Sequence, residues 1–221
     1  LNSPGKLIVF EGVEGSGKTT QIQATQSWLQ ELFSSAAPKR DVIITREPGG
    51  TQLGAKLRSL LLEYRGNAPI LSTTELLLYA ADRAQHVEET LKVAIASGRI
   101  ILCDRYTNST IAYQGYGRGL DLNLIHQLNA IATAGLESDL TIWLDLDVAV
   151  GLSRTRGRGS NDRIEQEAIA FHRRVQQGYL ELARQDPQRI VRVDASLSES
   201  EVRQQIQTIL RQHLAELLRE R

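Results

Sequence analysis

The chain reads as an α/β protein, a single domain over 1–221 built on a five-stranded parallel sheet with helices on both faces. Three observations carry that reading. Strand-like and helix-like segments alternate from one end to the other. The strand candidates are short and apolar without polar alternation, as in Ile100-Ile101-Leu102-Cys103, which suits a sheet covered on both sides. The first strand candidate also runs through Gly12-Val13-Glu14-Gly15-Ser16-Gly17-Lys18-Thr19 into a helix, matching the phosphate-binding pattern G-x-x-x-x-G-K-[ST]. Strand, glycine loop and helix in that order place the fold among the P-loop NTPases.

The elements follow in order. Lys6 to Phe10 is rich in strand formers, and Thr20 to Phe33 has no Pro or Gly and carries Ile22, Leu29, Leu32 and Phe33 at roughly helical spacing. Asp41 to Thr45 is a second strand, reached through a Ser34–Lys39 loop and broken sharply by Pro48-Gly49-Gly50. Leu53 to Glu63 predicts a helix. Another runs from a Ser72 or Thr73 cap to about Ser97, with Glu75 at capping distance and Gly98 as the stop. After the third strand come a glycine-rich loop at Gly115–Gly119 and a helix from about Leu122 to Ala134. Leu140 to Leu146 gives a fourth strand, Val148 to Arg154 a short helix, Ile164 to Arg184 a longer one, and Arg189 to Val193 a fifth strand. Ser198 and Glu201 have capping-box spacing ahead of a last helix, whose apolar face is Val202, Ile206, Ile209, Leu210, Leu214 and Leu217.

Composition excludes several function classes. Lys plus Arg and Asp plus Glu both number 26, so no overall positive field points to nucleic acid. No apolar run is long enough to span a bilayer, and no basic-then-apolar leader opens the chain, so the expectation is a cytoplasmic protein without a membrane partner. One cysteine, Cys103, excludes an internal disulfide framework and reads as core filling. Trp28 and Trp143 likewise read as core aromatics. The four histidines show no metal-ligand spacing.

The chemistry centres on the P-loop. Its glycines let successive N–H groups turn inward onto phosphate oxygens, so Gly12, Val13, Glu14, Gly15, Ser16, Gly17, Lys18, Thr19 and Thr20 form the triphosphate-binding set. Lys18 is placed to reach the β- and γ-phosphates, the Thr19 hydroxyl to ligate Mg²⁺, and the helix N-terminus to add positive potential. Asp104, at the carboxyl end of a strand, is placed to hold Mg²⁺ directly or through water; its plain alternative is to cap the next turn. Glu14 lies inside the P-loop, where a carboxylate beside phosphates is costly, so it is expected to face an acceptor. Glu11, just before the loop, has a structural alternative.

Four further motifs occur in order: Thr45-Arg46-Glu47-Pro48-Gly49-Gly50-Thr51, Ala80-Ala81-Asp82-Arg83-Ala84-Gln85-His86, Asp104-Arg105-Tyr106 and Asp162-Arg163-Ile164-Glu165. With the P-loop they resemble the thymidylate kinase family of nucleoside monophosphate kinases across essentially the whole chain. The resemblance implies a homodimer that uses ATP with Mg²⁺ to phosphorylate dTMP. It also implies that Arg46 holds the acceptor phosphate, that Arg105 clamps phosphates near the reacting centre, and that Glu14 contacts the acceptor 3′-hydroxyl. Thr110 and Gln114 match base-pocket positions, and Tyr113 matches one set against the sugar.

Two readings of the residues run alongside. Tyr79 and Arg83, four apart on one helix, share a face that offers a stacking plane and a donor fork for thymine O4. The alternative is a half-buried tyrosine and an arginine paired with Asp82 or Glu88. The segment at about 154–161 interleaves glycine and arginine without an apolar anchor and reads as a mobile lid. The resemblance implies a catalytic arginine in either the P-loop or the lid; no arginine occupies the P-loop, so Arg154, Arg156 or Arg158 is expected to supply it, with Arg163 as another candidate. Taken alone, the residues leave open another nucleoside monophosphate or deoxynucleoside kinase, or a P-loop ATPase switch.

Overall fold

The computed structural model describes residues 4–34, 40–155, 162–215 and 217. Its chain order is β1 (Lys6–Glu11), α1 (Lys18–Ser34), β2 (Val42–Arg46), α2 (Gln52–Glu63), α3 (Ser72–His86), a π-helical turn at Val87–Leu91, α4 (Lys92–Ala96) and β3 (Ile100–Asp104). There follow α5 (Thr107–Thr110), a second π-helical segment at Ile111–Gly117, α6 (Leu122–Thr133), β4 (Leu140–Asp145), α7 (Val148–Thr155), α8 (Ile169–Gln185), β5 (Ile190–Asp194) and α9 (Glu199–His213).

The five strands form one parallel sheet in the order β2-β3-β1-β4-β5. Strand parity assigns the two faces. Leu7 and Val9 of β1 and Ile101 and Cys103 of β3 pack with Val87, Leu91 and Ala94. Ile8 and Phe10, with Ile100 and Leu102, join a larger core that includes Ile22 and Leu29 of α1 and Ile206 and Leu210 of α9. Both faces are therefore dry, as the unalternated strands require. Each fully buried Leu, Ile or Phe in such a layer contributes about 1.5–3 kcal/mol.

Topology sets the site. The chain runs outward from β1 to β2 on one side and crosses to β4 on the other, so β1 and β3 flank a switch point. Phe10 of β1 lies opposite Asp104 of β3, and the P-loop and the Asp104-Arg105-Tyr106 turn leave the same edge together.

Four local expectations need correction. Ser72 and Thr73 do not cap α3: Leu71 holds the N-cap position without a side-chain hydrogen bond, and Glu75 is buried in a different interaction. The helix does not continue unbroken to Ser97 but passes through the π-helical turn at Val87–Leu91. Much of the Gly115–Gly119 stretch is helical, because Ile111–Gly117 winds with a wider turn. A Cβ on Gly117 would lie 2.7 Å from the Phe171 ring, and one on Gly178 would lie 2.8 Å from the Tyr116 ring, so these glycines permit close packing of α8. Finally, α8 begins at Ile169, since Asp162 caps a turn at Ile164 and Glu165 first. The capping box of α9 is present as expected; its Val202, Ile206 and Leu210 are buried, as are Leu214 and Leu217 just beyond its end. Trp143 is buried, whereas Trp28 is only partly covered and has Arg211 over its ring.

Candidate active site

The P-loop curls over the N-terminus of α1, with positive φ at Gly12, Gly15 and Gly17. Its tip is pressed onto α7: a Cβ on Gly151 would lie 2.2 Å from the Glu14 carbonyl oxygen, so only glycine fits there. The Lys18 ammonium donates to the carbonyls of Gly12 (3.0 Å) and Val13 (3.2 Å). Burial and then Arg105 lower its pKa, while Glu14, Asp104 and Glu11 oppose that shift.

Across from the loop stands Arg105, a non-glycine residue held at φ 72°. Such a conformation costs of order 1–3 kcal/mol and persists only where its surroundings dictate it. The surroundings here are dense. Arg105 Nη1 donates to the Gly12 carbonyl (3.0 Å), Ser109 Oγ (3.2 Å) and the Tyr179 hydroxyl (3.2 Å), and Nη2 donates to Glu14 Oε1 (2.5 Å). The guanidinium also lies 4.9 Å from the Tyr113 ring centre. Burial alone would raise the Glu14 pKa, but Arg105, then Lys18 and the Tyr113 hydroxyl bring it down to about 2.

Glu11 fixes the turn from below. Fully buried at the end of β1, its carboxylate accepts from Tyr106 N (2.9 Å), Ser109 N (3.1 Å), Ser109 Oγ (2.6 Å) and the Tyr179 hydroxyl (2.8 Å). It anchors the Arg105 turn structurally.

A second buried network is built around Arg83. Arg83, 2% exposed, donates through Nε to Glu47 Oε2 (2.7 Å), through Nη1 to Thr110 Oγ1 (2.9 Å) and Asn129 Oδ1 (2.7 Å), and through Nη2 to the Tyr106 carbonyl (3.0 Å). Four of its five donors are thereby used, and one Nη2 hydrogen has no acceptor among the described residues. It pairs with neither Asp82 nor Glu88. Asp82 instead accepts from Gly49 N, and His86 bridges Glu47 and Thr45, so the Pro48-Gly49-Gly50 turn is held from inside. Burial pushes the Tyr79 hydroxyl well above its ordinary pKa.

One cavity of about 400 Å³ collects these groups. Its wall is formed on one side by 14–20 of the P-loop and α1, and on the other by Arg46, Tyr79, Arg83, Thr110, Tyr113 and Gln114, with Asp104 and Arg105 between them. Arg46 is exposed and, among the described residues, its side chain has no hydrogen-bond partner. In this wall Ser16 Oγ and Asp104 Oδ1 are buried with no hydrogen-bond partner among the described residues. Gly12 and Val13 do not reach the wall: their carbonyls hold Lys18, and the Val13 side chain is core. Arg154, in the last turn of α7, is exposed with Nη1 3.4 Å from the Gly15 carbonyl. Arg156 and Arg158 lie outside the described residues. Arg163 does not line this cavity, its guanidinium donating to Glu75 and to the Leu61 carbonyl (3.0 Å).

A P-loop with a second set of cationic and aromatic groups facing it across one cavity defines a kinase that phosphorylates a small acceptor, not a switch. The family profile described as Thymidylate kinase matches residues 10–206. The chain is 67% identical over 211 residues to the thymidylate kinase of Nostoc punctiforme, covering 95% of this chain and 97% of that one. It is 60% identical over 220 residues to that of Trichodesmium erythraeum, covering 96% and 97%. The crystal structure of thymidylate kinase from Ehrlichia chaffeensis superposes with a TM-score of 0.75 at 32% identity, covering 94% of this chain and all of that one. The chain belongs to the thymidylate kinase family.

Proposed function

We propose that the enzyme transfers the γ-phosphoryl group of ATP to dTMP, giving dTDP and ADP. The observation that carries this reading is the single cavity in which the P-loop faces Arg46, Tyr79, Arg83 and Gln114 across Arg105 and Glu14. Phosphoryl transfer asks mainly for positioning and for cations around the spreading negative charge. Lys18 would leave the Gly12 and Val13 carbonyls for the donor phosphates, a short movement of a flexible chain. Arg105 lies between the two halves and would hold phosphate oxygens of either substrate; Arg46, unpaired among the described residues, would bind the acceptor phosphate. Glu14, ionised and facing Arg105 and Tyr113, would accept from the sugar 3′-hydroxyl. Tyr113 would close the 2′ side, so Tyr113→Ala should relax rejection of the ribonucleotide.

The residues present fit a magnesium ion. Asp104 Oδ1 is a buried oxygen with no partner among the described residues, and Thr19, in the first turn of α1, lines the same cavity. Among the described residues no group of three or more His, Cys, Asp and Glu could hold a metal. That suits a cation that shares its ligands with nucleotide phosphates and neutralises their charge. Arg154, beside the Gly15 carbonyl, is the described residue placed to bring a further cation over the donor, with Arg156 and Arg158 following it in sequence.

The protein is further proposed to work as a cytoplasmic homodimer. Leu77 of α3 and Leu124 and Ile131 of α6 expose apolar side chains on two helices that pack together, Ile131 at 75% exposure. No described helix is long and apolar enough to cross a membrane. Chromatographic detection of dTDP from ATP and dTMP tests the activity. Phosphate release from ATP without an acceptor, and no dTDP with one, would restore the switch alternative.

A further inference from the structure

Glu75 is a fully buried carboxylate beside the acceptor pocket, at 0% exposure, and its sequence position suggested only a helix cap. Its Oε1 accepts from Gln114 Nε2 (2.8 Å) and Arg118 Nε (3.2 Å), and its Oε2 from Arg118 Nη2 (3.2 Å) and Arg163 Nη2. Burial would raise its pKa, but the hydrogen bonds from Arg118, Gln114 and Arg163 overcome that and lower it. The group is ionised and accepts only. Gln114 must therefore present its amide nitrogen to Glu75. Its Oε1 takes no hydrogen bond from any described residue, although the side chain is 2% exposed and lines the cavity. Beside it, Thr110 Oγ1 accepts from Arg83 and keeps its own proton to donate.

We infer that Glu75 is a positioning residue for base choice: it locks the Gln114 amide so that a carbonyl oxygen, never an NH₂ group, meets the ring edge of the acceptor base. The inference rests on the reading that this cavity takes dTMP. A thymine edge offers O4 as an acceptor and N3–H as a donor. The remaining Arg83 hydrogen answers the first and Gln114 Oε1 the second. Cytosine offers the reverse, an amino donor and a bare N3, and meets a donor and an acceptor that both oppose it. An amide free to rotate would present NH₂ to cytosine N3 and erase half of that rejection.

Glu75→Gln tests this because its geometry predicts a rotation. The Oε2 position receives two arginine donors and the Oε1 position one, at 3.2 Å from Arg118 Nε, so the oxygen stays at Oε2 and the new NH₂ takes the Oε1 position. It then donates to Gln114 Oε1 and turns Gln114 Nε2 toward the base. The measurement is kcat/KM for dTMP and for dCMP on wild type, E75Q and Q114L. The expected result for E75Q is a dTMP/dCMP ratio lowered roughly tenfold or more, with dCMP turnover rising in absolute terms and KM for ATP unchanged. A purely structural role would lower both substrates together and leave the ratio alone, and that outcome in folded E75Q overturns the assignment. Should E75Q fail to fold, Q114L decides: the ratio falls if Gln114 reads N3, and an unchanged ratio overturns the proposal. A wild type that ignores dTMP would overturn the functional reading instead, and this assignment with it.

Discussion

At the scale of single residues, charge is held where it is needed by neighbours that leave little choice. Lys18 is satisfied by two carbonyls of its own loop, so its loss should disturb chemistry more than folding. Lys18→Ala is expected to lower kcat by about 10²–10³, the range for losing one donor to developing charge, with an unchanged circular dichroism spectrum. A folded variant with near-normal turnover would contradict the P-loop role. Glu14 shows the same logic in its titration. Its pKa falls from 4.5 to about 2 on folding, so between those values the unfolded chain binds the proton and the folded one does not. Its contribution to stability is complete above about pH 4.5 and is lost as pH falls toward 2. Urea titrations at a series of acid pH values should therefore show Glu14→Gln losing stability less steeply than wild type across that window. The P-loop was legible in the sequence because its spacing is local. Glu75 was not, because its spacing from Ser72 imitates a capping box while its partners, Gln114, Arg118 and Arg163, come from distant segments.

At the scale of elements, the hydrophobic periods placed every strand within a residue or so, since five short apolar runs admit few alternatives. What escaped was the path between them. Gly115 and Gly117 read as helix breakers, yet they lie in a π-helical segment, Gly115 against α6 and Gly117 against α8, where small size mattered more than flexibility. The start of α8 was misplaced for a related reason, as Asp162 caps a turn and not the helix itself. The contact of the P-loop with α7 was equally invisible, because nothing near Gly151 announces that the Glu14 carbonyl will sit against it. Gly151→Ala puts a methyl carbon against backbone that cannot rotate away. Overpacking of that kind costs about 1–3 kcal/mol, here by displacing the loop. The expected outcome is a raised KM for ATP with a smaller change in KM for dTMP. Unaltered ATP kinetics would show that the loop does not depend on this contact.

At the scale of the whole molecule, the strand order brings the P-loop, the Arg105 turn and the end of β2 to one edge of the sheet. Two anionic substrates can then meet head to head between the halves of one cavity. The motifs disclosed this assembly only as a set, since each is local and their meeting depends on topology. The central claim is that a specific acceptor, read by its base, gates transfer from ATP. The most direct test is the rate of ADP release by purified protein given ATP and Mg²⁺, first alone and then with dTMP, dUMP, dCMP or the thymine ribonucleotide. The account predicts near silence with ATP alone and full rate with dTMP. It predicts dUMP slower by roughly ten- to two-hundredfold, the range for one missing methyl group, and dCMP slower still. Rapid ADP release without any acceptor, or equal rates with dCMP and dTMP, would contradict it.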